Sequence, residues 1–242
     1  MAAIITVLVL LTVGVSVHAQ TQWDYLVETP ERIIGILDLE DIVAGGCGPA
    51  PNRATAPVFD KPSETGARAG TIYWYEVPDT ACDLMIERPG GIKEVLPSLE
   101  SGYEVPAAIV YERRGEWFRI RLKAGSAWIR RTGQDDFLSY PEMLKDQMPE
   151  ILQGWDGALR ASPGTTGRTT PLSDRWRALL DRTLSAQYLG SRRVGRDLWL
   201  HVRLAAKTPC DSEYEGVTDV TGWIPAYRPN GTPTMWFASR GC

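Results

Sequence analysis

The string Trp117-Phe118-Arg119-Ile120-Arg121-Leu122 returns 82 residues later as Trp199-Leu200-His201-Val202-Arg203-Leu204. Two further matches flank it in the same order. Val58-Phe59-Asp60-Lys61-Pro62-Ser63-Glu64-Thr65-Gly66 is echoed 101 residues on by Leu159-Arg160-Ala161-Ser162-Pro163-Gly164-Thr165-Thr166-Gly167, with an apolar residue four before the proline and Thr-Gly after it. Ala127-Trp128-Ile129 is echoed by Gly222-Trp223-Ile224 at an offset of 95. An internal repeat constrains a chain more than any local pattern, because both copies must suit one architecture. The unequal offsets locate insertions: about 19 extra residues in the first copy around Cys82 to Glu100, and 13 in the second around Thr208 to Val220. Insertions of this kind belong in loops.

The period of the repeat sets its secondary structure. From Trp117 to Lys123, Phe118, Ile120 and Leu122 alternate with Arg119, Arg121 and Lys123, the pattern of a half-buried antiparallel strand. Leu198 to Leu204 repeats it, with Leu200, Val202 and Leu204 inward. Trp117, Arg119 and Arg121, and likewise Trp199, His201 and Arg203, therefore face outward. Trp223 to Tyr227 and Thr234 to Ala238 flank Arg228-Pro229-Asn230-Gly231, a hairpin signal. Short helices are expected over Tyr140–Gln147, with Pro141 in its first turn, and over Ser173–Thr183. Residues 20–46 hold one apolar strand, Arg32 to Leu37, and then an acidic stretch. They read as an N-terminal extension packed on the first copy.

The apolar run Ala2 to Val17 ends in Val17-His18-Ala19 and is shorter than the ~20 residues of a membrane-spanning helix. It reads as a signal peptide (1–19) cleaved after Ala19, which makes the protein secreted or periplasmic. No Lys or Arg precedes the run, and an uncleaved anchor is the alternative. Export favours disulfides. Four cysteines allow three connectivities, and the pairs Cys47–Cys82 and Cys210–Cys242 keep each bridge within one copy, pinning an inserted loop. With no C-x-x-C pair, no zinc site or other metal is expected, and no cofactor. The formal charge of −4 argues against general nucleic-acid binding. Beyond Ala19 the only histidine is His201, predicted mid-strand, and neither a Gly-x-Ser-x-Gly elbow nor a phosphate-binding glycine loop occurs. Adjacent acids such as Glu40-Asp41 and Asp135-Asp136 read as solvated charges. The expectation is a protein that is not an enzyme.

At these residues the chain resembles the bacterial SH3-like domain family, in two copies. The first runs Val58 through Gly70-Thr71-Ile72, Gly115-Glu116-Trp117 and Ser126-Ala127-Trp128-Ile129. The second runs Leu159 through Gly164, Gly195 to Trp199 and Gly222-Trp223-Ile224. Ala127 stands where the family has glycine. The resemblance implies an all-β chain, mostly β with short helices: two SH3-like small β-barrels in tandem, at 54–131 and 155–242. The extension then occupies 20–53, and a linker with a short helix occupies 132–154. It also implies a partly open five-stranded barrel that binds cell-wall peptide or an envelope protein and carries no chemistry of its own. The alternative is a structural or assembly protein of the envelope with no small ligand. Candidate ligand-binding residues are Trp117, Arg119, Arg121, Trp199, His201 and Arg203, each indole a rigid floor and each guanidinium a fork for carboxylate. Tyr73 and Tyr75, around Trp74, form a further groove wall. Seven basic residues between Tyr111 and Arg131 face only Glu112 and Glu116, so the first groove is expected to be locally positive.

Overall fold

Alternating apolar and polar side chains make strands of most of the chain. The structure, a computed structural model, describes residues 31–43, 54–76, 82–102, 105–131, 137–145, 147–206 and 217–237. The first half holds β1 (Gly35–Asp38), α1 (Glu40–Val43), β2 (Thr55–Phe59), β3 (Arg68–Glu76), β4 (Cys82–Arg88), β5 (Ile92–Val95) and β6 (Ser98–Gly102). It continues with β7 (Val105–Arg114), β8 (Trp117–Arg121), β9 (Ser126–Arg130), β10 (Phe137–Ser139) and α2 (Tyr140–Met143). The second half holds β11 (Pro149–Ile151), β12 (Leu159–Arg160), β13 (Thr169–Thr170), α3 (Asp174–Arg177), β14 (Leu184–Val194), β15 (Asp197–Leu204), β16 (Val220–Pro225) and β17 (Met235–Phe237).

Two sheets result. The first runs β10-β1-β7-β8-β9-β2-β3-β4-β5, with β6 added on β7; the second runs β13-β12-β16-β15-β14-β11-β17. Among the described residues neither returns to its first strand, so neither closes into a barrel by hydrogen bonding. The path β10-β1-β7-β8-β9-β2-β3 corresponds strand for strand to β17-β11-β14-β15-β16-β12-β13.

The register agrees with the offsets of the sequence repeat. Arg119 lies opposite Trp128 and His201 opposite Trp223, while Phe59 and Arg160 flank those same tryptophans on the next strand. Even the irregularity is shared. β7 shifts register between Val110 and Glu112, opposite Ile120 and Arg119, and β14 shifts between Tyr188 and Gly190, opposite Val202 and His201. Such bulges re-aim a strand and bend it at one defined place. The turn after β2 matches too: Asp60 N–H donates to Ala67 O at 3.0 Å, and Ala161 N–H donates to Arg168 O at 2.8 Å.

The repeating unit is larger than its sequence matches. Residues 20–53 supply β1, and residues 132–154 supply β10, α2 and β11. Leu37 lies opposite Phe137 in the first unit and Pro149 opposite Phe237 in the second. The first unit's insertion forms β4, β5 and β6, extending the sheet rather than looping out.

Three local expectations need correction. The apolar strand expected from Arg32 begins only at Gly35. Each expected helix is a single turn. Pro141 lies in the first turn of α2, where Ser139 N–H donates to the Glu142 carboxylate at 2.9 Å, and Ser173 Oγ caps α3 by accepting from Trp176 N at 3.3 Å. Isolated helices this short have no stability of their own; buried Tyr140 and Trp176 anchor them. The Asn230-Gly231 turn does form, with Gly231 N–H on Arg228 O at 2.9 Å and Thr234 N–H on Ala226 O at 2.9 Å. Beyond a single bridge at Tyr227 and Pro233, however, β17 leaves β16 and pairs with β11, where Trp236 stacks on Tyr140.

Two apolar cores meet at one wall. On β7, Ala108 and Val110 enter the core between the strands of the first unit, whereas Ala107, Ile109 and Tyr111 enter the core of the second. β1 divides likewise, Leu37 to the first core and Ile36 to the second. A strand buried on both faces reads as a continuous apolar run, which is why Ala107-Ala108-Ile109-Val110 does not alternate. Tyr140 lies within this junction, its ring 5.3 Å from Tyr227 and 5.8 Å from Trp236. Its hydroxyl donates to the Met235 carbonyl, and the Tyr227 hydroxyl donates to Ile33 O at 2.6 Å. Burial raises the Tyr140 phenol well above its ordinary value and pushes Tyr227 up to about 12, so both remain donors near neutrality.

Cys82 opens β4 and is disulfide-bonded. Cys47, Cys210 and Cys242 lie outside the described residues, as do the segment 1–19 and most of the second insertion.

Candidate functional site

β8 and β9 set out the first candidate face by their two-residue period. Phe118, Ile120, Ala127 and Ile129 fill the first core, leaving Trp117, Arg119, Arg121, Ser126, Trp128 and Arg130 on the opposite side. Trp117 is half-buried and meets Phe59 edge to face at 5.5 Å. Trp128 is 6% exposed beneath the Arg114 guanidinium, 5.1 Å from its ring. Arg121, expected outward and open, is buried.

The positive groove expected here is neutralised from within. Arg119 binds Glu112 at 3.3 Å and Glu31 at 3.1 Å; Arg130 binds Glu116 at 2.8 Å and also Glu64. Arg131 takes both carboxylate oxygens of Asp41, at 2.8 and 2.9 Å. The hydrogen bond from Arg114, with Arg119 behind it, holds the Glu112 carboxyl below its ordinary range. Glu31 and Asp41 lie far from Arg119 and Arg131 in the chain, so a local count of charge overlooked them.

In the second unit the equivalent positions diverge. Trp199, expected as an open floor, is 4% exposed, and its indole N–H has no hydrogen-bond partner among the described residues. His201 is half-buried and lies flat on Trp223, with centroids 4.7 Å apart at 15°. Arg203 is exposed and reaches Asp219 at 3.6 Å. His201 thus lays one ring face on an indole. Among the described residues no three His, Cys, Asp or Glu side chains cluster as metal ligands, and no helix is long and apolar enough to cross a membrane.

A groove lies elsewhere among the described residues, on the outer side of β2, β3 and β4. Ile72 and Trp74 turn toward the first core, so Thr71, Tyr73 and Tyr75 point away from it. There a cleft of about 490 Å³ is lined by Thr55, Arg68, Thr71, Tyr73, Glu87 and Arg88, among others. Gly70 at its floor is required by packing, since a Cβ there would lie 2.9 Å from both Glu87 O and Ile86. Tyr73 is nearly fully buried in the wall, and Tyr75, beyond the cleft lining, is 36% exposed. The two rings meet edge to face at 6.2 Å. Among the described residues Arg68 is held by neutral acceptors, Thr71 Oγ1 at 2.7 Å and Gly70 O at 3.4 Å. Arg88 is bound to Glu94 at 2.6 Å.

The chain matches no family model, no curated protein and no solved structure.

Of the residues expected in the site, Tyr73 alone lines this cleft. Trp117 and Arg119 share one face in the first unit, and His201 and Arg203 share its counterpart in the second. Arg68 and Arg88 were missed, although Arg68 opens the strand that carries the Tyr73-Trp74-Tyr75 triplet and Arg88 ends the next strand. Arg68 lies at the entry to β3 opposite Phe59, just past the register shift that pairs Val58 with Gly70.

Proposed function

We propose that the chain is an exported, non-catalytic binding protein built of two SH3-like units, and that it recognises cell-wall peptide or a segment of an envelope protein. The observation carrying this reading is the cleft beside Tyr73. Its volume of about 490 Å³ lies within the range of small-ligand sites, ~300–1,000 Å³. The Arg68 guanidinium in it has its charge unmatched by carboxylate among its bonded partners, and a peptide carboxylate would take it as a fork. Tyr73 supplies the apolar wall. Disulfides Cys47–Cys82 and Cys210–Cys242 belong to the same proposal, as does signal cleavage after Ala19.

Retention on purified peptidoglycan, followed by calorimetric titration with soluble muropeptides, tests the ligand. Arg68→Gln is expected to weaken binding at least tenfold, about 1.4 kcal/mol, with an unchanged melting temperature. Retention no better than that of the denatured chain would remove the cell-wall version. Equal affinity in Arg68→Gln would move the site out of this cleft.

A second reading, a structural or assembly protein without a small ligand, is favoured by a different observation. The Arg119 and Arg130 guanidiniums are saturated inside the chain, and Trp199 is closed off. Under this reading the outer faces are cover for the cores, and cross-linking in the envelope recovers a protein partner while muropeptides give no heat.

A further inference from the structure

The second unit carries a charge that the first lacks. Between Leu159 and Ala206 nine arginines stand against three aspartates and no glutamate, in a chain whose net charge is −4. The contrast is sharpest at the hairpin the two units share. In the first unit Arg114 lies opposite Trp117, the turn follows at once, and Arg114 is bound to Glu112 at 2.7 Å. In the second unit Arg192 lies opposite Trp199, and both strands then continue for two further residues through the pairs Arg193–Leu198 and Val194–Asp197. At the rise of a strand, that extends the tip by about 7 Å.

Arg192, Arg193 and Arg196 at this tip are all exposed, and among the described residues no carboxylate pairs with any of them. Asp197 is the tip's single acid and is itself exposed. Between the arginines stands Val194, 40% exposed, and Leu189 at the bulge is 42% exposed. At the bulge position of the first unit, by contrast, Tyr111 is buried against the second core.

We infer that the β14–β15 hairpin docks on the anionic headgroup layer of a lipid membrane, with Arg192, Arg193 and Arg196 on lipid phosphates and Val194 at the acyl boundary. Charge complementarity supplies the attraction, since a basic segment gains from each cation brought to an anionic leaflet. Val194, part-exposed on the last strand pair before the turn, selects lipid over a soluble polyanion. Arginines alone satisfy a polyanion, whereas an apolar side chain among them gains only where hydrocarbon lies under the phosphates. In the first unit Arg114 is paired with Glu112, and Arg113 donates to Gly115 O with its guanidinium over Phe118. The inference is independent of the cleft, and Arg68→Gln leaves it untouched.

Co-sedimentation of the full chain tests it, with phosphatidylcholine vesicles containing about a third phosphatidylglycerol against pure phosphatidylcholine. Attachment through the apolar run Ala2 to Val17, where that run is retained, does not depend on anionic lipid, so the readout is the preference for the anionic vesicles and its loss in salt. At about fivefold per arginine, the equivalent of ~1 kcal/mol each, the triple substitution Arg192→Gln, Arg193→Gln, Arg196→Gln is expected to reduce that preference about 100-fold. Val194→Gln is expected to weaken anionic-vesicle binding severalfold while retention on immobilised polyphosphate stays unchanged. A triple variant that melts like the parent yet keeps its vesicle preference would overturn the inference. So would a Val194→Gln variant that binds both supports as the parent does, because the partner would then be a polyanion and not a bilayer.

Discussion

Tyr140 and Tyr227 each carry one hydroxyl across the junction between the units, to the Met235 and Ile33 carbonyls. A buried carbonyl that loses its donor forfeits about 1–3 kcal/mol, so Tyr140→Phe and Tyr227→Phe are each expected to lower the melting temperature measurably by circular dichroism. Asp41 acts at the surface by another route. Its hydrogen bond from Arg131 lowers the carboxyl below the ordinary 3.8, so the ionised form favours the fold. That contribution is complete above pH 3.8 and disappears as pH falls through the lowered value. Asp41→Asn is therefore expected to be less stable than the parent in urea at pH 7, with the gap closing in stronger acid; a gap independent of pH would deny the ion pair a role. Residue-scale errors of sequence reading share a cause here. Strand period predicts which side of a strand Arg119 and Arg121 occupy, but not that Glu31 crosses 88 residues to reach Arg119.

At the scale of elements, one pair of positions shows how the two copies drifted together. Ala127 in β9 and Gly222 in β16 hold the same register place, opposite Ile120 and Val202. A Cβ on Gly222 would lie 2.5 Å from Leu159 Cγ and 2.8 Å from Arg160 O. The first unit has Val58 where the second has Leu159, and the smaller side chain accompanies the alanine. Gly222→Ala is expected to cost about 1–3 kcal/mol by overpacking, and Leu159→Val about 1 kcal/mol by underpacking. The double variant should be more stable than Gly222→Ala alone, as read by denaturation midpoints in a double-mutant cycle; strict additivity would refute the exchange. Strands with tryptophan and strict alternation were legible in the sequence at their true offsets. β1, β10, β11 and β17, of three or four residues, were not legible as parts of the repeat. Segments that short contain too few periods to declare a face, and their partners lie a hundred residues away.

For the whole molecule, β7 is the decisive strand, since its two faces belong to different cores. Loss of either core exposes the other, so the described chain is expected to unfold in one transition with equal calorimetric and van't Hoff enthalpies. Ile109→Ala, facing the second core from a strand of the first unit, should lower the entire melt by about 2–5 kcal/mol. Two resolved transitions, only one of them shifted, would separate the units energetically. The mostly β class was legible from composition and period, whereas the shared wall was not. No local pattern marks Ala107-Ala108-Ile109-Val110 as a partition rather than an ordinary core strand. A different consequence follows from the pairing of β1 with β10 and of β11 with β17, the outermost segments of each unit in the chain. Each unit starts and finishes side by side, with only residues 144–148 bridging α2 to β11. Tandem copying of such a module demands no rethreading, and a guest domain spliced at this seam would leave its hosts' ladders intact.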